Sequence, residues 1–149
     1  MVVFVLGIAG SGKSTFIEEN YKNWNVVNVK DEQDKYVFLD YDNIMQSYID
    51  TRDKLIKVIK NGENVVLEHT LLRAERREMY ISAVKALGVP IEVFYLNKSL
   101  ETLLANNEKR NTLDKNYTES SLKYQEIPTL SEGFSKITIL DDSQNSIVQ

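Results

Sequence analysis

The chain begins with an unbroken apolar run, VVFVL at residues 2–6, that ends on a glycine. Continuous rather than alternating hydrophobicity marks a strand buried on both faces, as in a parallel sheet. Similar runs return at VVNV (26–29), YVFL (36–39), NVVLEH (64–69), IEVFYL (91–96) and KITIL (136–140). Between them the apolar positions take helical spacing. KSTFIEENYKNW (13–24) is one such stretch, and DNIMQSYIDTRDKLIKVIKNG (42–62) closes on the stop signal Asn61-Gly62. RAERREMYISAVKALG (73–88) halts at Gly88 with Pro90 beyond it, and SLETLLANNEKR (99–110) follows the next strand. A short helix is expected around 118–125, after a polar stretch. The runs at 26–29 and 36–39 flank a charged turn, KDEQDK. An acidic cluster follows 36–39, so that run is expected to be the second core strand, with 26–39 as a possible hairpin insertion. Strands alternating with helices predict an α/β fold: a three-layer, five-stranded parallel sheet with helices on both faces. Ligands of such sheets lie beyond the carboxyl ends of the strands.

What leaves the first strand is GIAGSGKST, residues 7–15. Gly7, four residues, then Gly12-Lys13-Ser14 fit the G-x-x-x-x-G-K-[ST] spacing of a phosphate-binding loop. Glycines at 7, 10 and 12 permit positive φ and carry no Cβ, so backbone N–H groups can curl around a phosphate. Lys13 is expected to reach the β- and γ-phosphates, and the Ser14 hydroxyl to ligate Mg2+. With a helix starting at Lys13, the anion would sit where the helix dipole favours it. Gly7, Gly10, Ser11, Gly12, Lys13, Ser14 and Thr15 thus form the expected site for ATP or another nucleoside triphosphate.

The other strand ends supply the remaining candidates. Asp40 and Asp42 follow the run at 36–39. A carboxylate there could orient an attacking hydroxyl and accept its proton, and Asp42 could equally cap the helix it begins. Glu68 closes the third strand, where a carboxylate that organises magnesium belongs. His69 is the only histidine, and with no cysteine zinc is a poor fit. Its position would let it line an acceptor pocket and titrate near neutrality. Arg73, Arg76 and Arg77 read as a solvated helix face paired with Glu75 and Glu78. Lys109 and Arg110 end a helix whose dipole favours them in any case. Arg110, beside a polar segment, is the candidate for a lid cation over a transferring phosphoryl group.

Composition narrows the class. At 149 residues the chain is expected to be a single domain, 1–149, able to bury a core. No segment approaches the ~20 apolar residues of a membrane span. The first run is too short, and lacks the basic leader, for a signal peptide. Absence of cysteine removes disulfides and suits a cytoplasmic setting. A net charge of −4 argues against broad nonspecific nucleic-acid binding while leaving room for a local basic groove.

These segments together resemble the P-loop kinases of the polynucleotide-kinase-like group. The resemblance rests on GIAGSGKST, FLDYDNI, NVVLEHTLLRAERREMYISAVKALGVPIEVFYL, SLETLLANNEKR and IPTLSEGFSKITIL, and covers nearly the whole chain. It implies ATP-dependent phosphorylation of a hydroxyl, with the general base on Asp42 and the lid arginine on Arg110, in a lid at about 107–118. Two departures stand out. Met45 occupies the place of an arginine that holds the acceptor's phosphate, and HTL at 69–71 replaces a polar Asp-Thr-Asn-like segment. Asp40, Met45, His69 and Arg73 are therefore the residues expected around a refitted acceptor pocket. A small molecule, nucleoside or modified base is the first reading of the acceptor, and a nucleic-acid 5′ end the second. A nucleotide-dependent switch without acceptor chemistry is the third.

Overall fold

The structure, a computed structural model, describes residues 1–110, 114–143 and 145–149. The apolar runs become β1 (Val2–Gly7), β2 (Asn25–Asn28), β3 (Val65–His69), β4 (Ile91–Leu96), β5 (Lys136–Leu140) and β6 (Ser146–Val148). The helices are α1 (Lys13–Asn20), α2 (Val29–Gln33), α3 (Tyr41–Lys60), α4 (Ala74–Lys85), α5 (Leu100–Arg110) and α6 (Lys115–Tyr124). One six-stranded sheet runs in the order β2-β3-β1-β4-β5-β6. The first five strands are parallel, and β6 is added antiparallel to β5 at the edge, beyond the five-stranded sheet expected.

β1 lies inside the sheet, and its alternate side chains feed two cores. Val2, Phe4 and Leu6 pack with Leu55 of α3 and Tyr80, Ile81 and Val84 of α4, while Phe134 meets Phe4 edge-on. Val3 and Val5 face the other way, against Ile17 of α1, Val66 and Leu96, with Phe16, Tyr21, Trp24 and Phe94 around them. The sheet is therefore covered on both faces. Pairing of Leu6 with His69 and of Gly7 with Leu96 levels the strand ends, so what leaves β1 and β3 emerges side by side.

The second strand is 25–28, not 36–39. A turn from Tyr21 to Trp24 ends α1 at Asn20 and delivers Val27, 3% exposed, to the side of β3. Val37 and Phe38 are 90% and 74% exposed, in the loop that leads to α3. The charged segment between the two runs is helix rather than turn, so no hairpin forms at 26–39. The Asn28 side chain caps α2 by accepting from the Asp31 N–H at 2.8 Å. Glu32, buried, takes Lys35 at 2.7 Å and Lys54 of α3 at 3.1 Å, pinning α2 to α3.

The arginines of α4 do not form a solvated face with Glu75 and Glu78. Arg77 is fully buried, its Nε 2.6 Å from Glu132 Oε1 and its Nη1 donating to the Leu71 carbonyl at 2.8 Å. Leu71 sits at φ 41°, a left-handed conformation that the clamp holds in place after β3. Glu132 also accepts from the Thr129 N–H at 2.8 Å. Arg77→Met should lower the unfolding free energy by about 3 kcal/mol, the low end for breaking a buried pair, because Glu132 keeps the Thr129 bond. Urea denaturation of the variant against the parent measures it.

Candidate active site

The loop from Gly7 to Ser14 leaves the end of β1 and becomes α1. Gly10 and Gly12 both stand at φ 93°, a region that side-chain-bearing residues rarely enter. Gly12 is the N-cap of α1 and no side chain caps it, so the first amides of the helix are left for an anion. Ser11 Oγ is buried and unpartnered at the same place. The Lys13 ammonium folds onto the loop, donating to the Gly7 carbonyl at 2.8 Å and that of Ile8 at 3.3 Å. Burial pulls the Lys13 ammonium down to about 8; the nearby Glu68 charge opposes this and that of Arg110 adds to it.

The Ser14 hydroxyl donates to Glu68 Oε1 at 2.6 Å, across the gap between β1 and β3. A hydroxyl and a carboxylate are hard oxygen donors of the kind that suit Mg2+. Among the described residues no cluster of three His, Asp or Glu offers an all-protein cage. Two protein oxygens fit an ion that keeps waters and phosphate oxygens as its other ligands. Beside this pair a cleft of about 230 Å³ opens between α1 and β2, lined by Ile17, Tyr21 and Val26 among others.

Asp40 and Asp42 are exposed, the first as the N-cap of α3 and the second in its first turn, rather than at the tip of a strand. Asp40 is the N-cap, accepting from the Asn43 N–H at 2.8 Å, so the capping role belongs to it and not to Asp42. One turn on, Met45 Sδ lies 2.7 Å from Arg76 Nη1, which brings the first turn of α3 against that of α4. Tyr48 follows, edge-on to the His69 ring at 4.6 Å between centroids.

His69 does not titrate near neutrality. It is buried at the end of β3, and desolvation, with the Lys13 charge behind it, pushes its pKa down to about 3. Nδ1 accepts from the Thr70 N–H at 2.9 Å, so the neutral ring carries its proton on Nε2, 3.2 Å from the Tyr80 hydroxyl. That hydroxyl in turn donates to the Tyr48 carbonyl at 2.8 Å. The histidine is a strut between β3, α4 and α3. Arg73 turns to Tyr124 O and Glu126, and does not join Met45 and Tyr48.

Arg110 is the exposed last residue of α5. Of the lid expected at 107–118, residues 107–110 belong to α5 and 115–118 to α6, while 111–113 lie outside the described residues. Two site neighbours escaped the reading of the sequence. Asn106 and Asn107 donate to the carbonyls of Gly10 and Ala9. Adjacent asparagines inside a helix, where they are poor formers, were the available signal.

A family model described as "AAA domain" matches residues 2–126. A curated relative, a bifunctional polynucleotide phosphatase/kinase of Schizosaccharomyces pombe, is 25% identical over 146 residues, 91% of this chain and 32% of that protein. The chain thus spans about a third of that relative's length. Among solved structures, a chain of the Pnkp1/Rnl/Hen1 RNA repair complex superposes with a TM-score of 0.72 at 20% identity, over 83% of this chain and 44% of that one. A gluconokinase from Sinorhizobium meliloti gives 0.71 at 17% identity, over 97% and 83%. These likenesses show a P-loop kinase fold. No helix among the described residues is long and apolar enough to cross a membrane.

Proposed function

The chain belongs to the AAA domain family, and from that premise we propose that it is an ATP-dependent kinase that phosphorylates a hydroxyl of a small molecule, nucleoside or modified base. The observation that carries this is the uncapped glycine loop with Lys13 folded onto it, the Ser14–Glu68 pair beside it and a carboxylate, Asp42, left without a structural task. Residues 1–149 act as one kinase domain, in the cytoplasm, with Arg110 presented by the end of α5. The loop amides and Lys13 hold the β- and γ-phosphates. Ser14 and Glu68 would hold a magnesium ion, which would supply neutralisation of charge on the phosphate oxygens. Asp42 orients the acceptor hydroxyl and takes its proton as the new O–P bond forms, and ADP leaves. Arg110 meets the charge that develops during transfer.

The acceptor lies between the start of α3 and the first turn of α4, near Met45. The guanidinium of Arg76 rests against Met45, so this place is not bare of positive charge. That observation favours the second reading, a polynucleotide 5′-hydroxyl, as does the named activity of the S. pombe relative. Incubation with ATP labelled on the γ-phosphate, against panels of nucleosides, sugars and 5′-hydroxyl oligonucleotides, separates the readings. Magnesium-dependent label on a small hydroxyl is the expected result. Label on oligonucleotides alone supports the second reading, and nucleotide binding with no labelled acceptor supports a switch.

Arg110→Ala should lower the transfer rate about a hundredfold with little change in nucleotide affinity, since a lid cation acts mainly on the transition state. Steady-state kinetics with separate binding measurements test this, and equal losses in both would return Arg110 to its helix-end role. Affinity for ATP should also fall as pH rises through about 8, where Lys13 loses its proton. Below that pH the ammonium is charged and attracts phosphate, and above it the attraction is lost. Calorimetric titrations from pH 6.5 to 9.5 check the sign, and Lys13→Arg should abolish the fall.

A further inference from the structure

Helix α5 meets the phosphate loop through two successive side chains. Asn106 Nδ2 donates to the Gly10 carbonyl at 2.7 Å, and Asn107 Nδ2 to the Ala9 carbonyl at 3.0 Å. Asn107 is 2% exposed, and the same amide lies 3.4 Å from Thr118 Oγ1 of α6. Successive side chains point about 100° apart around a helix, so α5 is docked broadside rather than by a tip. The loop is shaped to receive it, since a Cβ on Gly10 would fall 2.6 Å from Asn107 Oδ1. Two asparagines weaken the helix that carries them, and here both side chains are turned outward to the loop.

The described peptide bonds are all trans, and a planar trans peptide points its carbonyl and its N–H in opposite directions. An amide that fixes the Ala9 carbonyl therefore fixes the direction of the Gly10 N–H. Among the described residues that N–H has no protein acceptor. Arg110 stands three residues beyond Asn107 on the same face of α5, a spacing that makes them neighbours. Its charge is also felt at Lys13.

We propose that Asn107 is a positioning residue: it holds the phosphate loop and the arginine-bearing end of α5 at a fixed offset, so that the Gly10 N–H and Arg110 address the same triphosphate. The inference rests on the nucleotide-binding reading above. Asn106 secures the neighbouring carbonyl, and Thr118 ties α6 to the same amide.

The test compares affinity for MgADP with affinity for MgADP plus aluminium fluoride, a mimic of the phosphoryl group in flight. Calorimetry is run on the parent, Asn107→Ala, Arg110→Ala and the double variant, with melting temperatures recorded. The parent should prefer the fluoride complex. Asn107→Ala should lose roughly tenfold of that preference, the scale of a buried hydrogen bond. In the Arg110→Ala background the same change should remove clearly less, because one of the two groups it places is gone and only the Gly10 N–H remains to be displaced. Independent, multiplying losses would overturn the proposal. If Asn107→Ala melts far below the parent, the half-buried Asn106→Ala carries the comparison with the same expected coupling. A parent that binds MgADP, with asparagine variants that keep its full preference, sinks the proposal and leaves the nucleotide reading standing. A parent that binds no nucleotide removes both.

Discussion

Lys13→Ala should abolish ATP turnover and leave the fold intact. The side chain contributes nothing to either apolar core; its bonds run only to the Gly7 and Ile8 carbonyls. Those carbonyls lie at the open end of β1, where water can replace the ammonium. Removing a partly desolvated cation also relieves the cost that drags its pKa down to about 8, so the melting temperature should hold or rise. Function should suffer in the opposite way. The charge on the transferring phosphoryl group grows toward the leaving oxygen, and a fixed cation in a dry loop stabilises it far more than water does. A magnesium-dependent assay of ADP release, run beside a thermal melt, decides the matter. Turnover at the parent rate by a folded variant would mean that the loop is not where the chemistry happens.

Asp42→Asn should fold and bind ATP as the parent does, while transfer to the acceptor drops by roughly two to four orders of magnitude, the usual worth of a positioned base. The structure sharpens this expectation. Asp40 holds the N-cap bond to Asn43, and Asp42 has no protein hydrogen-bond donor among the described residues. Loss of the Asp42 charge therefore costs the helix only a favourable dipole contact. Asp40→Asn is the control: asparagine caps as well as aspartate, and a smaller loss of transfer is expected there. Should Asp40 be the sensitive residue, the base sits one half-turn earlier and the mechanism keeps its form. If neither change affects transfer to an identified acceptor, no base acts from this helix.

The phosphate loop was legible because its chemistry is local: the residues that turn the chain and those that would hold the anion lie within nine positions. β4 and β5 were legible to the residue, since continuous apolar runs between polar breaks admit little else. The second strand was not. VVNV and YVFL differ little in apolar content, and only the short turn at Tyr21–Trp24 decides which reaches β3. The same limit hid the true partner of Arg77, 55 residues away in a 3-10 turn, behind the nearer glutamates of its own helix. For His69 the pattern showed its place at a strand end but not its enclosure, which comes from Tyr48 on the helix before it and Tyr80 on the helix after it. The clamp by Asn106 and Asn107 also depends on where α5 lands, information that no local pattern carries.

The strand order has a temporal consequence. β1 is synthesised before both of its neighbours, which begin pairing with it at Val65 and Ile91, far downstream. Such distant parallel pairings form slowly, because long loops must close before any contact repays them. On a ribosome the glycine loop therefore emerges before β3 and β4 and waits for both before β1 has its two walls. Its apolar strand is the segment most in need of shelter during that interval. The nucleotide cradle is thus made before the strands and the helix that complete it, β3, β4 and α5.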